Sequence, residues 1–285
     1  MPTIRLLPHA AFILSAWVSA ILAQQPSAPA LPDIRQLMKE VQEHQKQVEK
    51  AREDDTYTAL ITTEDIDSNG RVTKTESEED ENFFVNSHLI ARVVKKDGKP
   101  LDPREDRKET ERVTKLVEKA QATPPGQPIE GQTISISRLL EIMDVRNPRR
   151  EIYHGRVTIV FDFIGRKDAK THGLIEDASK KLQGTLWIDE TDRQVTRLEV
   201  SFNDNFHVAG GVFATVQKGS NFHFDQAPVG SGVWLPTGGE GNMQARVLVF
   251  KNLRQHYIER DYDFKRFSVE TQQSKDAKPV RAAKP

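Results

Sequence analysis

The chain has 285 residues, no cysteine, and 41 Lys and Arg against 42 Asp and Glu, a formal net charge of −1. That balance supplies no basic field for a phosphate backbone, so nucleic acid is not expected as a partner. Without cysteine there is no disulfide, thiolate nucleophile or thiolate metal ligand, and no lipobox residue to carry an acyl anchor.

Residues 1–23 are expected to be a cleavable secretory signal. Arg5 stands in a short n-region, and an uncharged run from Ala10 to Ala23 follows, with small Ala23 ahead of Gln24-Gln25 and Ala20 as a second candidate cut. The run is shorter than the roughly 20 residues a membrane-spanning helix needs, which favours cleavage over an anchor. The mature chain is then expected to be exported, in the periplasm or else secreted, and not to be an integral membrane protein. Residues 24–32, with Pro26, Pro29 and Pro32, read as a linker.

Asp33 is placed to cap a helix, with Gln36 three residues on, and Ile34, Leu37, Met38, Val41, Val48 and Ala51 mark one face. From Tyr57 to Thr63 the chain turns β-branched, and Asn69-Gly70 supplies a hairpin turn. A third strand is expected over 89–94, ending at Asp97-Gly98. Asp102-Pro103-Arg104-Glu105 then opens a charged helix to Ala122, with Val113, Leu116, Val117 and Ala120 as its narrow apolar stripe.

A short helix is expected over 138–143. Beyond Pro148 the pattern predicts strands over 156–165, 183–189, 194–202, 208–217, 221–226, 233–236, 243–251 and 255–267, joined by short turns at 190–193, 218–220, 230–232 and 238–241. Connections this short join antiparallel neighbours. The tail 271–285 lacks apolar periodicity and is expected to be disordered. Residues 33–270 are thus expected to be one domain.

Candidate chemistry is sparse. No dinucleotide or phosphate-loop glycine motif occurs, and no Gly-x-Ser-x-Gly elbow is present for a serine hydrolase. His207, His223 and Asp225 are the best metal set, but a reversal at Lys218-Gly219 would put the two imidazoles on the order of 20 Å apart, so no metal is expected. The run Glu76 to Glu81 lacks the glycine-punctuated spacing of a calcium loop and reads as a solvated strand face. Asp189 and Asp192 bracket a turn that their side chains can cap. No catalytic residue and no cofactor follow from these patterns.

What remains is apolar alternation on the strands, in Phe161, Phe163, Leu186, Ile188, Leu198, Val200, Phe202, Phe222, Phe224, Val247, Val249 and Phe267. Such a face is first of all a core.

The segments Gly184-Thr185-Leu186-Trp187-Ile188-Asp189, Val195-Thr196-Arg197-Leu198-Glu199, Val233-Trp234-Leu235-Pro236 and Tyr262-Asp263-Phe264-Lys265-Arg266-Phe267 resemble the outer-membrane lipoprotein-sorting superfamily of LolA/LolB-like carriers and related envelope-stress sensors. The likeness spans about Gly155 to Val269, and the sequence also looks like secreted proteins of soil bacteria that carry this kind of domain. It implies an α+β fold in which a curved antiparallel β-sheet, an incomplete β-barrel, carries helices over its concave face.

In the carriers that cavity accepts acyl chains. By the resemblance, Phe161, Phe163, Leu186, Ile188, Phe202 and Val249 are the ligand-cavity candidates, and a lipid or lipoprotein acyl chain is the first partner. An envelope protein-interaction or stress-sensor module of the same fold is the alternative. A secreted hydrolase is a third reading with no catalytic constellation behind it. The charged helix from Asp102 to Ala122 departs from the shorter carriers.

Overall fold

The computed structural model describes residues 30–125, 127, 129, 135–211, 213–230, 232–248 and 251–266. The expected signal, most of the linker and the expected disordered tail lie outside the described residues. The described part from Leu31 onward makes one compact unit.

Helix α1 spans Ile34–Ala51 and starts where Asp33 Oδ1 accepts the backbone N–H of Gln36 at 2.9 Å. The box is only half made, because the Gln36 amide donates forward to Glu40 at 2.8 Å. Leu37, Val41, Gln45 and Glu49 are its buried residues, one stripe at four-residue spacing. Helix α2, Pro103–Ala122, has the complete capping box of Asp102 and Glu105 with proline in its first turn. Helices α3, Ile136–Glu141, and α4, Gly173–Ser179, are short.

The strands are β1 Asp55–Ile66, β2 Val72–Val85, β3 His88–Lys96, β4 Lys99–Pro100, β5 Met143–Tyr153, β6 Arg156–Gly165, β7 Leu182–Asp189, β8 Val195–Phe202, β9 Phe206–Val208, β10 Ala214–Val216, β11 Asn221–Val229, β12 Val233–Val247 and β13 Lys251–Arg266. They form one antiparallel sheet in the order β4-β3-β2-β1-β13-β12-β11-β8-β7-β6-β5, with β10 and β9 added beside β12. The path does not close, so the antiparallel α+β part of the expectation stands. Short turns make most of the meander, and β1 pairs with β13, the last strand among the described residues.

Four local expectations are corrected. Residues 143–153 form strand β5, whose run Arg146-Asn147-Pro148-Arg149-Arg150 hides it; this is an edge strand, where proline and charge are tolerated and discourage edge pairing. Helix α4 was not expected. The strand expected over 208–217 is instead β9, a 3-10 turn at Ala209–Gly211 and β10, because Gly210 and Gly211 adopt positive φ and reverse the chain.

The turn expected at 238–241 is the middle of β12. There a Cβ on Gly239 would lie 2.7 Å from the His223 carbonyl oxygen, and one on Gly241 2.8 Å from that of Asn221. These glycines let β11 approach closely; they do not break the strand.

Two apolar clusters anchor the sheet. The larger packs Leu37, Val41, Leu139 and Leu140 onto Ile159, Phe161, Phe163, Leu186, Ile188, Leu198 and Val200 of β6, β7 and β8. The smaller packs Ala120, Val113, Leu116 and Val117 of α2 with Phe83, Val85 and Ile90 of β2 and β3. Helix α2 also guards the β3 edge, since Arg112 donates to the Ala91 carbonyl at 2.6 Å and Glu109 accepts the Val93 N–H at 2.8 Å. The acidic run on β2 is not uniformly solvated: Glu79 meets Lys95 at 2.7 Å, whereas Asp80 is 6% exposed.

Candidate functional site

Strand alternation gives the sheet two faces of opposite character. On the helix-bearing face, Phe161 pairs with Leu186, Ile188 with Ile159, Phe163 with Gly184, and Phe202 with Leu182. Five of the six ligand-cavity candidates therefore share one face, and Val249 lies outside the described residues. Phe161, Phe163, Leu186 and Ile188 are fully buried beneath α1 and α3, with Phe202 packed at the margin.

Helix α1 is latched there by buried polar bonds. Gln45 donates to Gln194 Oε1 at 2.7 Å, and Glu49 accepts from the Ser137 hydroxyl at 2.7 Å and its backbone N–H at 3.1 Å. Arg52, just past the helix, donates to the Trp234 carbonyl at 2.7 Å and to Gln226 at 2.6 Å.

The opposite face is polar. Tyr153 donates to Asp225 Oδ1 at 2.7 Å, and one Arg197 nitrogen donates to both Asp225 oxygens at 2.9 and 2.8 Å while its Nε donates to Glu199 at 2.8 Å. The same guanidinium lies 5.9 Å from the Tyr153 ring centroid and 6.0 Å from that of Trp187. Burial would lower the Arg197 pKa, but its bonds to Glu199 and Asp225 outweigh that and hold it above its ordinary value. Burial, then the bond to Asp225, raises the Tyr153 pKa.

His223 Nε2 lies 3.8 Å from Asp225. Beyond it, His256 contacts Glu240 at 2.9 Å through Nε2 and Glu64 at 3.1 Å through Nδ1, tying β12, β13 and β1 together. The bonds to Glu240 and then Glu64 raise the His256 pKa, and the same pairing lowers that of Glu240.

Two shallow clefts meet at His223. One of about 260 Å3 is lined by Asp225, Thr237, Gly238, Glu240, Ile258 and Arg260 among others; one of about 380 Å3 is lined by Gly184, Thr185, Glu199, Ser201, Asn221 and Phe222. None of the five described cavity candidates lines either cleft. The glycines of β12 leave the first cleft without side chains on its floor.

The pairing used to separate the two histidines is corrected. β10 pairs with β9 and β12, not β11, so Thr215 faces His207, whose Nδ1 lies 3.1 Å from its hydroxyl, while His223 faces Glu199 and Glu240. Among the described residues no group of three His, Asp or Glu side chains converges as metal ligands. The expected capping at Asp189 is found, with Oδ1 accepting from Thr191 and Asp192 N–H at 2.9 and 2.7 Å. Tyr153, Trp187 and Arg197 are site residues that sequence reasoning missed. Trp187 and Arg197 alternate with the buried apolar residues that dominate the sequence signal of β7 and β8, and Tyr153 sits on the unexpected β5.

Fold and site together describe an open antiparallel α+β sheet with one filled apolar face and one grooved polar face. No family model matches the sequence, and no curated protein matches it. Among solved structures the chain is similar to a domain from Vibrio parahaemolyticus assigned to outer membrane lipoprotein sorting, at 10% identity and TM-score 0.35, over 84% of this chain and 97% of that one. It is also similar to a DUF1329 family protein from Desulfovibrio piger, at 9% identity and TM-score 0.34, over 80% of this chain and 92% of that one. A third is MucB in complex with MucA(peri), at 9% identity and TM-score 0.23, over 83% of this chain and all of that one.

Proposed function

We propose that this chain is an exported, non-enzymatic binding protein of the bacterial envelope that takes a protein partner on the polar face of its sheet, at the groove around His223. One observation carries the reading: the apolar face is occupied by α1 and α3 side chains, whereas the opposite face is open, grooved and set with fixed charges. Paired charges around an aromatic centre suit recognition of a complementary surface, giving register and specificity. No hydroxyl or thiol nucleophile is bonded to His223 among the described residues, which favours binding over hydrolysis.

A second reading is favoured by the clustering of Phe161, Phe163, Leu186, Ile188 and Phe202 under two helices. In it, α1 and α3 lift and an acyl chain takes their place, gaining roughly 0.8 kcal/mol per buried methylene. That gain must exceed the loss of the Gln45, Glu49 and Arg52 bonds.

Two measurements separate the readings. A photoreactive residue at position 223, in the producing cell, is expected to give a discrete protein adduct that a control at exposed Leu174 does not, and that Arg197→Ala abolishes. Titration with a fluorescent fatty acid is expected to show no saturable binding. Saturable binding lost in a folded Ile188→Asp variant, with no adduct at 223, would replace the first reading by the second.

A further inference from the structure

One end of the sheet combines exposed apolar side chains with a run of exposed positive charge. Strand β12 pairs with β11 only as far as Asn242, and β13 pairs with β1 only from Gln255 onward. The β12–β13 hairpin therefore extends past its neighbours and is flanked there by β10 and β9. At its end Leu248 is 52% exposed with positive φ, and its N–H donates to the Phe213 carbonyl at 3.0 Å, where Phe213 is 61% exposed. Two large apolar groups are thus held side by side at a solvent-facing tip.

Along the strands that carry them the charge has one sign, and carboxylates approach only from the β1–β2 end, where Gln255 donates to Asp65 at 2.9 Å and Arg254 reaches the turn that holds Asp67. From residue 205 to 224 and from 241 to 258 the sequence contains no Asp or Glu, while Lys218, Arg246, Lys251 and Arg254 fall in these stretches. All four are exposed, and none forms an ion pair among the described residues; Arg254 donates to the Ser68 carbonyl at 3.4 Å. With the chain at −1, the four cations leave −5 on the remainder, since −1 − 4 = −5.

We propose that this basic, apolar tip docks on an anionic lipid surface. Apolar groups that penetrate the headgroup region, ringed by cations that meet anionic lipids, are what interfacial binding needs, and neither feature alone suffices. A soluble acidic partner would be served by the cations, but it gives no role to Phe213 and Leu248, which stand at a turn and not in a groove. A fluid interface accepts a tip of any shape. The tip is separate from the groove at His223, so the two can fail independently.

The test is co-sedimentation of the full chain with vesicles of phosphatidylcholine alone or with about a quarter phosphatidylglycerol, at low and at physiological salt. Binding is expected only to the anionic vesicles and is expected to weaken with salt. Arg246→Glu/Lys251→Glu should lower partitioning at least twentyfold, at about fivefold per cation removed. Phe213→Ser/Leu248→Ser should lower it about tenfold. These positions are exposed, so unchanged circular dichroism and melting temperature are expected. Arg197→Ala, which targets the groove, should leave partitioning unchanged. Absence of binding to anionic vesicles, or partitioning equal in the parent and both double variants, would overturn the proposal. Loss with the charge reversal but not with the serine pair would overturn it in favour of a soluble polyanion.

Discussion

Asp261→Asn is expected to flatten the pH dependence of stability on the alkaline side. Asp261 lies on β13 across from Ala59, with Asp80 on the other side of Ala59, so the two carboxyls are about 10 Å apart at ordinary strand spacing. Burial first, with neither carboxyl oxygen hydrogen-bonded, and then the negative charge of Glu259 push the Asp261 pKa up to about 8. Burial first, then Glu78 and Glu109, push Asp80 up to about 6. Both folded values lie above the unfolded value of 3.8, so between these limits the native state holds protons that the unfolded chain has released.

Stability therefore falls as pH rises, for Asp261 across about pH 4 to 8. One proton is worth at most about 1.4 kcal/mol per pH unit, or roughly 3 kcal/mol from pH 5 to pH 7. Partial solvent access reduces this to about 1–2 kcal/mol. His256 has the same sign, since its raised pKa gives stability at low pH that is lost as pH rises through it. Asp189, Glu141 and Glu176 are lowered by their arginine and lysine partners against burial, and so lose stability only as pH falls below about 4. The optimum is expected near pH 5. Urea midpoints at pH 5, 6, 7 and 8 on the parent and Asp261→Asn provide the measurement. An unchanged slope in the variant, or a parent that gains stability from pH 5 to 7.5, would refute the reasoning.

Three further outcomes are expected in denaturant unfolding. Gly184→Ala should cost at least about 2 kcal/mol, because the new Cβ would sit 1.8 Å from the Glu199 carbonyl oxygen, a backbone atom that cannot move aside without parting β7 from β8. Trp234→Ala should cost roughly 3–5 kcal/mol, but Trp187→Ala only about 1–2, since Trp234 is 4% exposed whereas Trp187 lies half-buried on the polar face. Equal losses would mean that the facing of β7 is misassigned. Arg52→Leu should cost about 2–4 kcal/mol by leaving the Trp234 carbonyl and Gln226 Oε1 without their donor, and its unfolding midpoint checks this.

The elements legible in the sequence are those whose signal is local. Asp33 and Asp102 cap helices where capping chemistry places them, and the period-two runs of β6, β7 and β8 report a strand half-buried under helices. Illegible features depend on neighbours that the sequence does not display. The glycines of β12 look like a turn until β11 is known to lie against them. Edge strand β5 needs no apolar alternation, because little packs on its outer side. Aromatic character alone does not report facing: Trp187 alternates with buried Leu186 and Ile188 and so falls on the polar face, half-buried, whereas Trp234 is buried. The polar site was hidden for a similar reason: Arg197, His223 and Asp225 look like solvated positions singly, and only β8 pairing with β11 makes them a cluster.

That pairing logic also explains where the acidic belt sits. Helices α1 and α3 cover β6 to β8, and α2 packs on β2 and β3, so the strands between, β1, β13 and β12, belong to neither apolar cluster. Their rows carry Tyr57, Glu259, Asp261 and Tyr257 instead, with Tyr57 stacked on Phe264 at 5.8 Å. The β1–β13 seam joins residues as far apart in sequence as Asp55 and Arg266, so it is expected to close after the local hairpins. A junction held by ladder bonds, stacked rings and a carboxyl whose pKa burial raises is tuned by pH in a way that a leucine core is not. The N-terminal hairpins are therefore attached to the rest of the sheet through its most titratable strands.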